Sequence, residues 1–352
     1  MKKLLTSILF VTIAFSNGAL AQNNLVATLE HNDTLSVFYG VDALKSAHDA
    51  SADGDVITLS SGTFNASNIT KAITLRGAGM ELDTINHIEP TIISGNFQIS
   101  ANHDTYKVTL EGLYHDGSIN LNGLFISHDS YKLYTLRDAI FMKCRLGSIV
   151  CNYTTGYYVS DYAYAYMENV QFVNCKITKS APLSGTASFT NCYVTNLYNH
   201  HSSFAVEVDN CVLVYTGGIK PSQSPNSTFR NSYIYLDPNN VDTTKDMYPS
   251  SVTLYNNVAN DGFIYQNATN DTNKSAELTD VFKTFTGTYT DAESFQLTEA
   301  AKTTYLGNDD TQIGMYGGTL SYDPAPSNPR ISKFIVTAKP AEGKLEVQLE
   351  AK

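Results

Sequence analysis

Tryptophan is absent, and charge is scarce: 16% of the 352 residues are ionisable Asp, Glu, Lys or Arg, with 23 basic against 34 acidic side chains. A net charge of −11 excludes the basic stripe that nucleic-acid binding requires, so no nucleic-acid partner is expected. Low charge together with 42% hydrophobic residues also excludes a disordered chain, because there is enough apolar surface to build a core. Long hydrophobic runs are lacking as well. The run from Leu4 to Phe15 is 12 residues, short of the roughly 20 needed to cross a bilayer, so no transmembrane segment is expected. Lys2 and Lys3 before that run, and Ala19-Leu20-Ala21 after it, give residues 1–21 the form of a cleaved signal peptide. Its removal takes away two lysines and no acid, leaving 21 basic and 34 acidic groups, net −13. No cysteine follows the small-residue site to carry a lipid. The expected location is periplasmic or extracellular, with cell-surface association open.

There is no Cys-X2-Cys among the five cysteines, and the adjacent pair His200-His201 reads as part of a polar turn, so a zinc site is disfavoured and no metal or cofactor is expected. The cysteines leave two readings open. They fill a repeated buried slot, or some pair as disulfides, with Cys144 to Cys151 the first candidate.

What the chain does have is a repeat. Phe172-Val173-Asn174-Cys175-Lys176-Ile177 recurs as Phe189-Thr190-Asn191-Cys192-Tyr193-Val194 and Val208-Asp209-Asn210-Cys211-Val212-Leu213. Phe229-Arg230-Asn231-Ser232-Tyr233-Ile234 follows, then a degraded copy at Leu254-Tyr255-Asn256-Asn257-Val258, and Phe141-Met142-Lys143-Cys144-Arg145-Leu146 precedes with the Asn replaced. Successive Asn positions lie 17, 19, 21 and 25 residues apart. Such a period means stacked units, and apolar alternation with β-branched and aromatic residues makes each unit a set of strands. Parallel stacking at roughly 4.8 Å predicts three columns: inward Phe141, Phe172, Phe189, Val208, Phe229 and Leu254; inward cysteines continued by Ser232; and an asparagine ladder with amides bonded from rung to rung. The fold class expected is all-β, a single-stranded parallel β-helix or solenoid.

Upstream, a short amphipathic segment (Val41, Leu44, Ala47) precedes Gly54-Asp55-Val56-Ile57-Thr58-Leu59, Gly62-Thr63-Phe64 and Ile73-Thr74-Leu75-Arg76-Gly77-Ala78-Gly79. This pattern resembles the opening of secreted right-handed parallel β-helix proteins of the pectate-lyase-like superfamily. The resemblance implies right-handed coils and an N-terminal capping helix near residues 40–51. The expected organisation is a signal peptide over 1–21, a strand and capping helix over 22–52, coils over 53–262, irregular coils and an end cap over 263–323, and a Pro-rich joint with a terminal hairpin over 324–352. A cap is needed at each end because the last rung would otherwise expose a strand edge.

The chemistry is less explicit. Cys144 and Cys175 are 31 residues apart, so an insertion protrudes between about 147 and 166. It carries Tyr153, Tyr157, Tyr158, Tyr162, Tyr164 and Tyr166, flat faces suited to sugar rings. Arg145 and Lys176 share an outward position on consecutive rungs beside it. Substrate binding is therefore assigned to Arg145, Lys176, Tyr153, Tyr157, Tyr158 and Tyr162, with a polysaccharide as partner, an anionic one where the two cations contact it. The competing reading makes these residues a solvated surface on a non-catalytic adhesion scaffold. His103-Asp104, His115-Asp116 and His128-Asp129 read as turn residues. No catalytic residue is assigned. The polygalacturonase-like signatures are missing apart from Asn102-His103-Asp104. If the chain is an enzyme, lyase chemistry using Lys or Arg as a base is favoured over hydrolysis.

Overall fold

A computed structural model describes residues 25–101, 103–121, 134–151, 154–155, 162–163, 165–199, 205–217, 226–239, 252–260, 272–327, 331–336 and 347–351. The expected signal peptide lies outside these residues. The chain opens with β1 (Val26–His31) and β2 (Thr34–Tyr39), an antiparallel hairpin turned by Asn32 and Asp33 with positive φ, followed by α1 (Ala43–Ala50). Leu44 and Ala47 of α1 are buried against the first strands, as expected of a cap. Val41, grouped with them on sequence, precedes the helix and is exposed.

From β3 (Val56–Leu59) and β4 (Gly62–Asn65) onward, the chain passes back and forth between two 12-stranded sheets, called A and B here; sheet A begins with β2 and β1, of which β1 also pairs antiparallel with β3, and sheet B begins with β4. From β3 and β4 on, the strands of each sheet pair in parallel with the equivalent strand one repeat away. The molecule is thus mostly β with long parallel sheets, an arrangement compatible with a parallel β-solenoid.

The alignment of repeats is borne out residue by residue. Ile57, Leu75, Leu110, Phe141, Phe172, Phe189, Val208, Phe229 and Leu254 are register partners along sheet A, and all are buried. The Phe141, Phe172 and Phe189 rings stack at centroid distances of 4.8 and 4.7 Å, so one strand spacing sets the ring spacing. Along sheet B the facing column is Phe64, Ile93, His115, Leu146, Ile177, Val194, Leu213, Ile234 and Ala259. His115 is therefore a core residue on a strand, not the turn residue expected. Its Nε2 bonds to the Gly95 carbonyl at 2.7 Å, Nδ1 has no partner among the described residues, and burial lowers its pKa. His103 does lie in a turn, accepting the Thr105 and Tyr106 N–H groups, and His128 lies outside the described residues.

The cysteine column also holds. Cys144, Cys175, Cys192, Cys211 and Cys151 are buried thiols, and burial pushes the Cys144, Cys175 and Cys192 pKa values well above the ordinary range. Three of them form a hydrogen-bonded spine that runs past the sulfurs. Cys175 N–H donates to Cys192 Sγ (3.4 Å), Cys192 N–H to Cys211 Sγ (3.3 Å) and Cys211 N–H to Ser232 Oγ (3.0 Å). Ser232 N–H donates to Asn257 Oδ1, and Asn257 N–H to Asn273 Oδ1. A small side chain with one acceptor and one donor is what each slot requires.

Beyond Lys274–Ser275 the sheets stop. Residues 276–327 run back along the outside of sheet B, from Tyr233, whose hydroxyl donates to the Ala276 carbonyl, to Glu111 at the end of a sheet A strand, which accepts the Ser327 N–H. The reason is apolar burial: Phe282, Phe285, Phe295, Leu297, Ile313 and Met315 form a second core with Tyr193, Val212 and Tyr233, which point outward from sheet B. Each of these six large side chains contributes roughly 1.5–3 kcal/mol of burial to the contact, which holds the segment against the sheet. Residues Ile331–Val336 and Val347–Ala351 form the expected antiparallel hairpin.

Candidate functional site

Each repeat crosses between the sheets twice, and the two crossings differ. The first two crossings from A to B are Ser60-Ser61 and residues 77–90, which carry Glu81; from there on the chain turns in one or two residues: Gly112, Lys143-Cys144, Asn174-Cys175, Asn191-Cys192, Asn210-Cys211, Asn231-Ser232 and Asn256-Asn257. From Lys143 on, the first residue of each pair has φ between +51° and +55°, which Asn tolerates better than most residues; Gly112 has φ +66°. From B back to A the connections are residues 66–73, 100–108, 122–133, 151–164, 200–204, 216–227 and 237–252, and only Ser184 makes a short one.

The asparagines of the tight edge were expected to bond one another. Their backbone conformation is as expected, but the amides go elsewhere. Asn191 Nδ2 donates to the Met315 and Gly317 carbonyls, each at 2.8 Å, and Asn231 exchanges hydrogen bonds with Asn308. The oxygens of Asn174, Asn191 and Asn210 have no partner among the described residues. Residues 276–327 offer backbone donors and acceptors closer than the next rung, so the ladder serves to fasten that segment. Lys143, which stands where other repeats have Asn, reaches Asp323 at 2.9 Å and the Ala325 carbonyl at 2.6 Å.

Arg145 and Lys176 are register partners on adjacent strands, as the sequence implied. Their expected exposure is corrected. Lys176 is 3% exposed, with Nζ 2.6 Å from Glu81 Oε1 and the Phe295, Tyr322 and Tyr289 rings at 5.5, 5.5 and 6.0 Å. Arg145 is 14% exposed, pairs with Asp291 at 2.6 Å, and lies 4.2 Å over the Tyr114 ring and 5.4 Å from Tyr289. A buried ammonium must have a counter-charge, and Glu81 supplies it. Burial raises the Tyr289 and Tyr322 pKa values and pushes Tyr193 up to about 12, so these phenols stay neutral. Two cations held by carboxylates and walled by rings are poor elimination bases. They act here as fasteners between sheet B and the terminal segment.

Tyr153, Tyr157 and Tyr158 lie outside the described residues. Tyr162 falls in a two-residue strand, Tyr162–Ala163, antiparallel to Thr154–Thr155, so part of the insertion is itself a hairpin. Arg145 and Lys176 stand on an outward column of sheet B that is covered, and the tyrosines belong to the stretch between two strands, 151–164, that returns the chain from B to A. The sequence reading missed Glu81, Asp291, Tyr289 and Tyr322. The available signal was the aromatic density of 282–295, which in a segment without repeats demands an apolar surface to cover.

Among the described residues, no group of three or more His, Cys, Asp or Glu side chains could hold a metal ion, and no helix is long and apolar enough to cross a membrane. The chain matches no family model, no curated protein and no solved structure.

Proposed function

We propose that this chain is a secreted right-handed parallel β-helix that holds an extended extracellular polysaccharide without cleaving it. The observation that supports this is the inequality of the two crossings. Long connections gathered on one side of stacked repeats are where such architectures place their binding residues. Here one of them carries Tyr153, Tyr157, Tyr158 and Tyr162. On the outer face of sheet B the two aligned cations are paired with carboxylates beneath residues 276–327, so neither Arg145 nor Lys176 stands free as a base. Aromatic faces with hydroxyl rims bind sugar rings by stacking and hydrogen bonding, and need no titrating group.

The test is retention on immobilised pectins, alginates and glycosaminoglycans, with unsaturated-product absorbance and reducing ends monitored in parallel. The expected outcome is retention by at least one glycan with no product, weakened by Tyr157→Ala and Tyr158→Ala. Appearance of product, or retention untouched by the tyrosine substitutions and lost with Arg145→Ala, would overturn the reading.

A further inference from the structure

Four of the large apolar side chains that stand exposed among the described residues are gathered in one place: Leu35 (65%), Val37 (43%), Tyr39 (75%) and Val41 (49%). The first three alternate along β2, the last strand at the N-terminal end of sheet A. Alternation puts their side chains on one face, while Phe38 on the other face packs against the core. The main chain follows the same parity. Gly40 N–H donates to the Leu25 carbonyl, so the even-numbered positions of β2 face β1 and the N–H and C=O groups of Leu35, Val37 and Tyr39 face outward. Unpaired main-chain groups and uncovered side chains thus coincide on the same three residues.

Edge strands are ordinarily protected by a lysine, a proline, a bulge or a covering element. None of these occurs at the outward edge of β2 among the described residues. From Thr34 to Val41 there is no charge at all, on a chain whose net charge is −11. Two copies of such an acidic chain repel over most of their surface, and a neutral strip is where they can meet.

We propose that β2 is a self-association edge, pairing antiparallel with β2 of a second copy about a two-fold axis through Val37. In that register Val37 faces its own equivalent, Leu35 faces Tyr39, and each of the three outward residues exchanges both main-chain groups with its opposite. This register is the one that pairs all three outward residues of β2 with one another, and sheet A then continues unbroken across the axis. A six-residue edge falls short of the roughly 1,200–2,000 Å² of a tight complex, so the dimer forms and dissociates with concentration.

Sedimentation velocity over a concentration series should show the mass rising from monomer to dimer. Val37→Lys, which opposes two like charges at the axis, should weaken association about tenfold or more, with the thermal midpoint unchanged because the site is exposed. Val37→Cys should crosslink to itself under mild oxidation, since the native cysteines are buried, whereas Leu35→Cys alone should not and Leu35→Cys mixed with Tyr39→Cys should. A chain monomeric at every concentration, as it would be if β2 instead took a strand from another protein, overturns the proposal. So does a dimer indifferent to Val37→Lys, or one that crosslinks through Leu35→Cys alone.

Discussion

The two edges of the stack obey different constraints although every repeat contributes to both. On the A-to-B edge, beyond the long connection 77–90, a two-residue turn leaves no freedom from Lys143 on: the first residue must tolerate a left-handed backbone and the second must fill a buried slot with one donor and one acceptor. On the B-to-A edge connection length varies from one residue to sixteen, so sequence there is released from the backbone's demands. The first edge spends its side chains on cohesion, and residues 276–327 complete it. The second can diverge, and that makes it the better place for recognition.

The sharpest way to break this contrast is to remove a ring from each core. Phe189→Ala in the sheet A column and Phe295→Ala in the terminal segment should each cost roughly 3–5 kcal/mol in chemical denaturation. A loss below about 1 kcal/mol for Phe295→Ala would make the terminal segment an accessory flap. Glu81→Ala, which strands the Lys176 ammonium, should cost about 3 kcal/mol, since Lys176 is buried even though Glu81 is 31% exposed. Acid probes the same interior. His115 and His48 are buried with lowered pKa values, chiefly by desolvation, so the unfolded chain binds their protons more readily. Their contribution is intact above pH 6.5 and is lost as pH falls from 6.5 toward the folded values. His115→Phe should flatten the fall in thermal midpoint over that window; an unchanged slope would remove His115 from the account. Asp291→Ala should cost no more than about 1 kcal/mol, because Asp291 is 74% exposed. Tyr157→Ala, on the permissive edge, should stay within roughly 0.5 kcal/mol of the parent while weakening glycan retention.

The stack was legible in the sequence because strict geometry leaves a strict pattern. Phe-X-Asn-Cys fixes one inward ring, one left-handed turn and one small buried acceptor, and each recurs in register at the expected position. The binding assignment of Arg145 and Lys176 was only half legible. Their alignment follows from the repeat, but exposure depends on what lies over the sheet, and residues 276–327 carry no period linking them to Tyr193 or Tyr233. Long-range contacts such as Glu81 to Lys176, 95 residues apart, arise from shape and charge rather than local spacing. His115 misled for a related reason: adjacent Asp116 and Gly117 suggested a turn, yet a nine-residue strand, Leu113–Leu121, runs through them.

The claim on which the rest depends is that the aligned cations are sealed beneath the terminal segment. Native-state hydrogen exchange read by mass spectrometry tests it directly. Amides of 281–297 should exchange with those of 193–195 and 212–215, at the same free energy and through the same global opening. If 281–297 exchange at a far lower free energy, as a separate unit that leaves 193–215 protected, the segment is a lid, and Arg145 and Lys176 return as candidates for an open site.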